Sequence, residues 1–260
     1  MTGTHAPPAA EGLAHRRTQM GDSIRGWGVI PGAVSEVSDR HWLLLSGAPS
    51  ADFNIALVQT PDPAVLDHVV ARVQQIGAPA LVCLTGDARD DAMPEGWQPV
   101  GTMPFMAADL EQVPLATDPR VRLAGPDDVD VTTRLLADAY GMPEEIARLA
   151  VEPVVTGASK AGRSDMRFWL VEDGTPVSAV LDARSGDAVT LWCMSTPQRF
   201  ARRGYARALL AHVLHVARAE GAAIGLLGAT PAGKPLYDAT GWRTLEQWRL
   251  FVRGESVQFV

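Results

Sequence analysis

The run Ser195-Thr196-Pro197-Gln198-Arg199-Phe200-Ala201-Arg202-Arg203-Gly204-Tyr205-Ala206-Arg207 sets four arginines around a glycine, at the point where a strand-like pattern gives way to a helical one. A helix starting there presents backbone N–H groups without intrahelical partners, together with the positive end of its dipole. Gly204 lets a ligand approach the main chain, and the arginines add full charges, so the segment has the chemistry to hold a phosphate or pyrophosphate. No Gly-Lys-Ser/Thr follows it, which excludes a P-loop, and the three-glycine dinucleotide pattern is absent. Residues 188–219 contain no acid but hold Arg199, Arg202, Arg203, Arg207 and Arg218, an island of positive charge in an acidic chain. A solvated helix face would carry such a run too; the glycine at its centre favours the anion site.

Other reactive side chains carry less. Cys83 and Cys193 each lie in an apolar run, as packed thiols do, and two cysteines alone form neither a zinc cluster nor a disulfide framework. His212 and His215 are three apart on a helical pattern with no third ligand in view, so a solvated face is expected and no metal.

The elements that must position the arginine run follow from periodicity. Residues 120–125 alternate like a short strand, and Pro126, Asp127 and Asp128 open a helix over 129–140 that Gly141, Met142 and Pro143 break. A second helix runs from Glu144 to about residue 155, before a polar loop at 157–163. Strands at 166–171, 176–183 and 189–196 are separated by the turn sequences Asp173-Gly174 and Ser185-Gly186-Asp187. Apolar residues three and four apart predict a helix over 205–220, ended by Gly221 and joining two strands that should be parallel neighbours. A buried strand at 224–227, a short helix at 233–240 and a strand or broken hairpin at 242–252 complete this half. The first half echoes the order, with strands at 42–45, 53–59, 80–84 and 100–107 and a helix at 64–76. GAPALVCLTG at 77–86 and GAAIGLLGAT at 221–230 both leave a helix for an apolar strand, and each precedes a Gly-Trp pair, at 96–97 and 241–242. A duplicated unit accounts for this, although chance agreement of short α/β patterns would too.

Composition bounds the function. The 260 residues are 47% hydrophobic and 20% charged, as in a globular protein, and a formal charge of −7 argues against nucleic-acid or anionic-membrane binding. Residues 20–117 hold 12 acids and four bases, whereas 118–260 hold 17 of each. No apolar run approaches the roughly 18 to 20 residues of a membrane span. The first twenty residues lack the apolar core of a signal peptide, so residues 1–19 are expected to be a flexible tail and the location a reducing cytoplasm.

With these features in place, the chain resembles the GNAT acyl-CoA-dependent N-acyltransferases, whose signature is Gln/Arg-x-x-Gly-x-Gly/Ala after the fourth strand. Ala201-Arg202-Arg203-Gly204-Tyr205-Ala206 matches at Gly204 and Ala206 and departs at Ala201; Pro197 falls where the family usually has proline, and Leu236-Tyr237 to Gly241-Trp242 looks like its Leu-Tyr-x-x-x-Gly-Phe ending. The resemblance covers about residues 118–252 and implies a mixed, mostly antiparallel sheet flanked by helices, an α/β (α+β) GNAT fold. It also implies a catalytic unit at 118–260 behind a degenerate GNAT-like unit at 20–117, where Gln59-Thr60-Pro61-Asp62-Pro63 offers no coenzyme cradle.

By the same resemblance, the strand around Met194 and Ser195 pairs with the pantetheine arm, while Arg202, Arg203, Gly204, Tyr205 and Ala206 receive the pyrophosphate. Tyr237 is the matching general acid for the leaving thiolate, and an N–H near Met194 faces the developing oxyanion. Glu144 and Glu145 border the acceptor site, where they would attract a cation or relay a proton, unless they only complement the helix dipole. Trp192 is a candidate for lining the acceptor pocket. The implied reaction moves an acetyl group from acetyl-CoA to a primary amine of a small molecule or peptide; a homodimer is compatible with it. A CoA-binding regulatory module and an interaction protein recruiting a basic partner through its acidic half are the competing readings.

Overall fold

The computed structural model describes residues 10–25, 32–88, 93–157 and 166–254. Its strands form one sheet: β1 (Val34–Val37), β2 (His41–Leu45), β3 (Asn54–Val58), β4 (Ala80–Leu84), β5 (Gln98–Asp109), β6 (Val121–Leu123), β7 (Arg167–Asp173), β8 (Thr175–Ser185), β9 (Ala188–Ser195), β10 (Ile224–Gly228) and β11 (Arg243–Arg253). The spatial order is β1-β2-β3-β4-β11-β5-β10-β9-β8-β7-β6. β3–β4 and β9–β10 are parallel pairs and the other neighbours are antiparallel. Parallel neighbours need a crossover. α2 (Pro63–Ile76) provides it for the first pair and α5 (Tyr205–Ala219) for the second, as the apolar spacing of 205–220 predicts.

The last strand of each half crosses to the other. β11 lies between β4 and β5, and β5 lies between β11 and β10, so each half is completed by a strand from its counterpart. Side chains alternate accordingly: Phe105 and Ala107 of β5 join a core cluster on one face, Met106 and Ala108 a second cluster on the other. The first face is covered by α1 (Ala10–Ser23), α3 (Val129–Tyr140) and α4 (Glu144–Val155), while α2, α5 and α6 (Lys234–Asp238) cover the opposite one. None of the described helices is long and apolar enough to cross a membrane.

One expectation is corrected at the N-terminus. Residues 10–19 belong to a docked helix rather than a flexible tail, and residues 1–9 lie outside the described part. Its anchors explain why. Met20 and Ile24 are buried, Arg16 reaches Asp187 at 2.6 Å, Gln19 bonds Ser185 O at 2.9 Å, and Arg17 forms a buried pair with Glu246. Gly21 lies so close to Trp42 that a Cβ there would fall 2.5 Å from the indole Cγ. Short β1, also absent from the strand expectations, pairs with β2 at the sheet edge. The loop expected at 157–163 falls largely outside the described residues.

Candidate active site

β9 leads into the arginine run, and its geometry opens the sheet there. Ala179 pairs with Ser195 and Leu181 with Trp192, so two steps on β8 face three on β9. The extra residue is a β-bulge, with Cys193 in the left-handed region at φ 52°. β10 pairs with β9 only as far as Thr190; Leu227 and Gly228 continue against β5 alone. The two parallel strands therefore part beyond Thr190, which leaves the β9 backbone around Met194 and Ser195 facing a gap in the sheet. An extended ligand can add to such an edge by main-chain hydrogen bonds.

At the end of the gap the chain turns through Pro197, a 3-10 turn at Gln198–Phe200, and two residues of positive φ, Arg202 at 63° and Gly204 at 83°. Gly204 is the N-cap of α5 and supplies no side-chain cap, and the first turn contains no acid. Ala208 N–H is the first to close a helical bond, onto Gly204 O at 3.0 Å. The N–H groups of Tyr205, Ala206 and Arg207 therefore have no partner within the helix. A Cβ at Gly204 would meet nothing within 4 Å, so the space in front of this backbone is open. Arg202, Arg203 and Arg207 are exposed around it. Tyr205 takes part through its main chain: its side chain is buried, with the hydroxyl donating to Asp173 and the Arg120 guanidinium 5.9 Å from the ring centroid. Uncapped N–H groups, open space and surrounding arginines have the chemistry to hold an anion, and the parted strands leave main-chain groups that an extended chain could pair with.

Tyr237 is held in α6, its ring buried and tilted against Trp242 at 5.5 Å. Burial raises its pKa above the ordinary phenol value, so it is protonated at neutral pH. Tyr140, at the end of α3, donates to Met194 O at 3.2 Å and fixes the bulged strand. Its own pKa is raised by burial and by Cys193, Tyr237 and Asp52, each within electrostatic reach of its hydroxyl. Burial, helped by the Asp52 charge, pushes the Cys193 thiol up to about 12, so it is an inert packed group.

Glu144 and Glu145 are exposed in the first turn of α4, after the left-handed Gly141 and Pro143. The charge that bears on Tyr140 and Cys193 comes instead from Asp52. Asp52 lies in a short 3-10 turn, Ala51–Phe53, of the first half; nothing in its local sequence marks it, because only the sheet topology brings it here. Tyr140 was equally silent, as one of the aromatic residues on an amphipathic helix. Trp192 donates to Ser23 Oγ at 3.2 Å and Thr190 Oγ1 at 3.1 Å and packs against the same cluster as α1 and α3. His212 accepts a bond from Asp118 N at 3.0 Å and tilts against Trp169, while His215 is exposed.

No protein-family model matches the chain, and no curated protein matches it either. Solved structures do. A GCN5-related N-acetyltransferase from Kribbella flavida aligns over 96% of this chain and 98% of its own, with a TM-score of 0.61 at 16% identity. A GCN5-related N-acetyltransferase from Sphaerobacter thermophilus aligns over 95% and 94%, with a TM-score of 0.55 at 15% identity. Saccharomyces cerevisiae N-myristoyltransferase, solved with bound myristoyl-CoA and inhibitors, aligns over 74% of this chain and 56% of its own, with a TM-score of 0.52 at 10% identity. Parted parallel strands, an open helix N-terminus between them and the extent of these alignments lead to one conclusion: the chain has the GNAT fold.

Proposed function

We propose that the protein is an acyl-CoA-dependent N-acyltransferase, moving an acetyl group from acetyl-CoA to a primary amine of a small molecule or peptide. The observation that carries this is the uncapped start of α5 at the mouth of the β9–β10 gap, with a protonated Tyr237 on the α5 side of the sheet. A GNAT-like tandem, with coenzyme binding confined to the second unit, accounts for the recurrence of an antiparallel pair, a crossover helix and a parallel strand in each half. The yeast relative's myristoyl-CoA shows that this fold elsewhere takes a long acyl donor. Here the acetyl group is the proposed cargo, and the cytoplasm the proposed setting.

The residues divide the work. Main-chain N–H groups of Gly204, Tyr205 and Ala206, with Arg202 and Arg203 beside them, bind the pyrophosphate. The β9 backbone at Met194 and Ser195 aligns the arm, and a bulge N–H near Met194 faces the carbonyl oxygen as it gains charge. Tyr237 protonates the leaving thiolate. Glu144 and Glu145, exposed on α4, attract a cationic acceptor.

Calorimetric titration with acetyl-CoA is the direct test. Wild type should bind, and Gly204→Glu should lose at least about tenfold in affinity, because it places a like charge and bulk where a pyrophosphate sits and strains a left-handed position. Normal binding by the Gly204→Glu variant would displace the donor from this cradle.

A further inference from the structure

The cradle and Tyr237 belong to the α5 face of the sheet, whereas Ala51 and Phe53 are buried in the core of the opposite face. Tyr140, Met142, Trp192 and Cys193 pack against that same opposite core. The gap beyond Thr190 connects the two sides. In the acyltransferase reading, an acceptor entering the gap from the α1–α3 side would approach the donor carbonyl from the face opposite Tyr237.

Asp52 stands on the acceptor side. It is half-buried between Ala51 and Phe53, and Ser50 Oγ donates to its Oδ2 at 3.2 Å. Other acids set into this molecule have cations: Asp182 has Arg167 at 2.7 Å and Glu246 has Arg17 at 2.5 Å. Asp52 has no ion pair among the described residues, and a partly buried carboxylate without a cation lacks compensation for its lost hydration. Burial raises its pKa, against the hydrogen bonds from Ser50 and its own backbone, and so strengthens it as a base. Its neighbours by charge are Tyr140 and Cys193, both protonated, and Phe53, next to it in the chain, is buried in the same apolar core against which Met142 and Trp192 pack.

We propose that Asp52, supplied by the N-terminal half, is the catalytic base of the reaction and receives the ammonium of a primary amine carried on an apolar body. This rests on the acyltransferase reading above. A proton passes from the acceptor ammonium to the Asp52 carboxylate, and the freed nitrogen lone pair forms the C–N bond at the thioester carbonyl. The C–S bond then breaks, Tyr237 gives its proton to the sulfur, and the second nitrogen proton restores the phenol through solvent. The proton on Asp52 is released to water, so one acyl-CoA and one ammonium yield one amide, one free thiol and one proton.

Asp52→Asn, which keeps size and removes charge, tests the assignment with 2-phenylethylamine as the probe. Acetyl-CoA should bind wild type and variant within about twofold, a measurement that tests the acyltransferase reading by itself. With CoA bound, wild type should hold the amine at least about tenfold more tightly than the variant, the loss of one buried charge pair. Thiol release should fall by about 10²-fold in kcat, and the acidic limb of the wild-type pH profile should vanish in the variant. Asp52→Glu should restore part of both. If the variant and wild type treat the amine alike, including by both failing to bind it, the assignment is overturned. If acetyl-CoA binds neither, the acyltransferase reading falls first.

Discussion

Tyr140, Cys193 and Tyr237 all keep their protons at neutral pH because they are buried, and this decides between chemistries at the residue scale. A thiol pushed up to about 12 is a poor nucleophile, so in the proposed reaction direct attack by the amine is favoured over a covalent cysteine intermediate. A phenol held protonated suits a donor to sulfur. Its raised pKa means that activity is not lost through Tyr237 as pH climbs toward the ordinary phenol value near 10. Tyr237→Phe should lower kcat by about 10²-fold, the low end for a general acid because a thiolate is already a good leaving group. Its acetyl-CoA affinity should stay within about twofold, since the proposed pyrophosphate contacts are at the start of α5. If the Phe variant matches wild type at every pH from about 6 to 9, Tyr237 only packs against Trp242. The proposed cradle is legible in the sequence because its signal is local: glycine, arginines and a change of period within a few positions, which the structure places at the start of α5. The positions of Asp52 and Tyr140 are not, because their partners are distant in sequence, and no spacing rule links a 3-10 turn of the first half to the β9 bulge.

Elements were legible where one face is apolar. The helix over 205–220 and the parallel strands it joins follow from three- and four-residue spacing, and α5 begins at Tyr205 as expected. α1 escaped because its docking relies on polar anchors, Arg16, Arg17 and Gln19, and on a glycine, none of which marks a buried face. That glycine gives a test in which two effects oppose each other. In an exposed helix Gly→Ala gains up to about 1 kcal/mol. At Gly21 the new methyl would lie 2.5 Å from Cγ of a fully buried Trp42, itself set edge-on to Trp248, and such overpacking costs about 1–3 kcal/mol. Packing should win: Gly21→Ala should lower the melting temperature by a few degrees, of the order of 2–6 °C for a chain of this size. A rise would mean that α1 does not seat on Trp42.

At the scale of the molecule, strand exchange makes the two halves one folding unit. β11 has β4 and β5 as its neighbours, both from the first half, and β5 has β11 and β10, both from the second. Hydrophobic patterning identifies each of these strands but cannot say which lie side by side, so the crossing was invisible in the sequence. A fragment of residues 118–260 would leave β11 unpaired and the outer edge of β10 bare, while 1–117 would strand β5. Unpaired backbone polar groups and lost cross-strand packing on this scale exceed the marginal stability of about 5–15 kcal/mol typical of a folded domain. The 118–260 fragment should therefore be insoluble or lack fixed near-UV circular dichroism, and co-expression with 1–117 should recover both solubility and acetyl-CoA binding. The full chain should unfold in one transition, with tryptophan fluorescence and far-UV circular dichroism coinciding. A fragment of 118–260 that folds and binds acetyl-CoA unaided would show that the exchange is dispensable. Otherwise the first half is required twice: its β5 completes the sheet from which the proposed cradle projects, and its Ala51–Phe53 turn supplies Asp52, the proposed base.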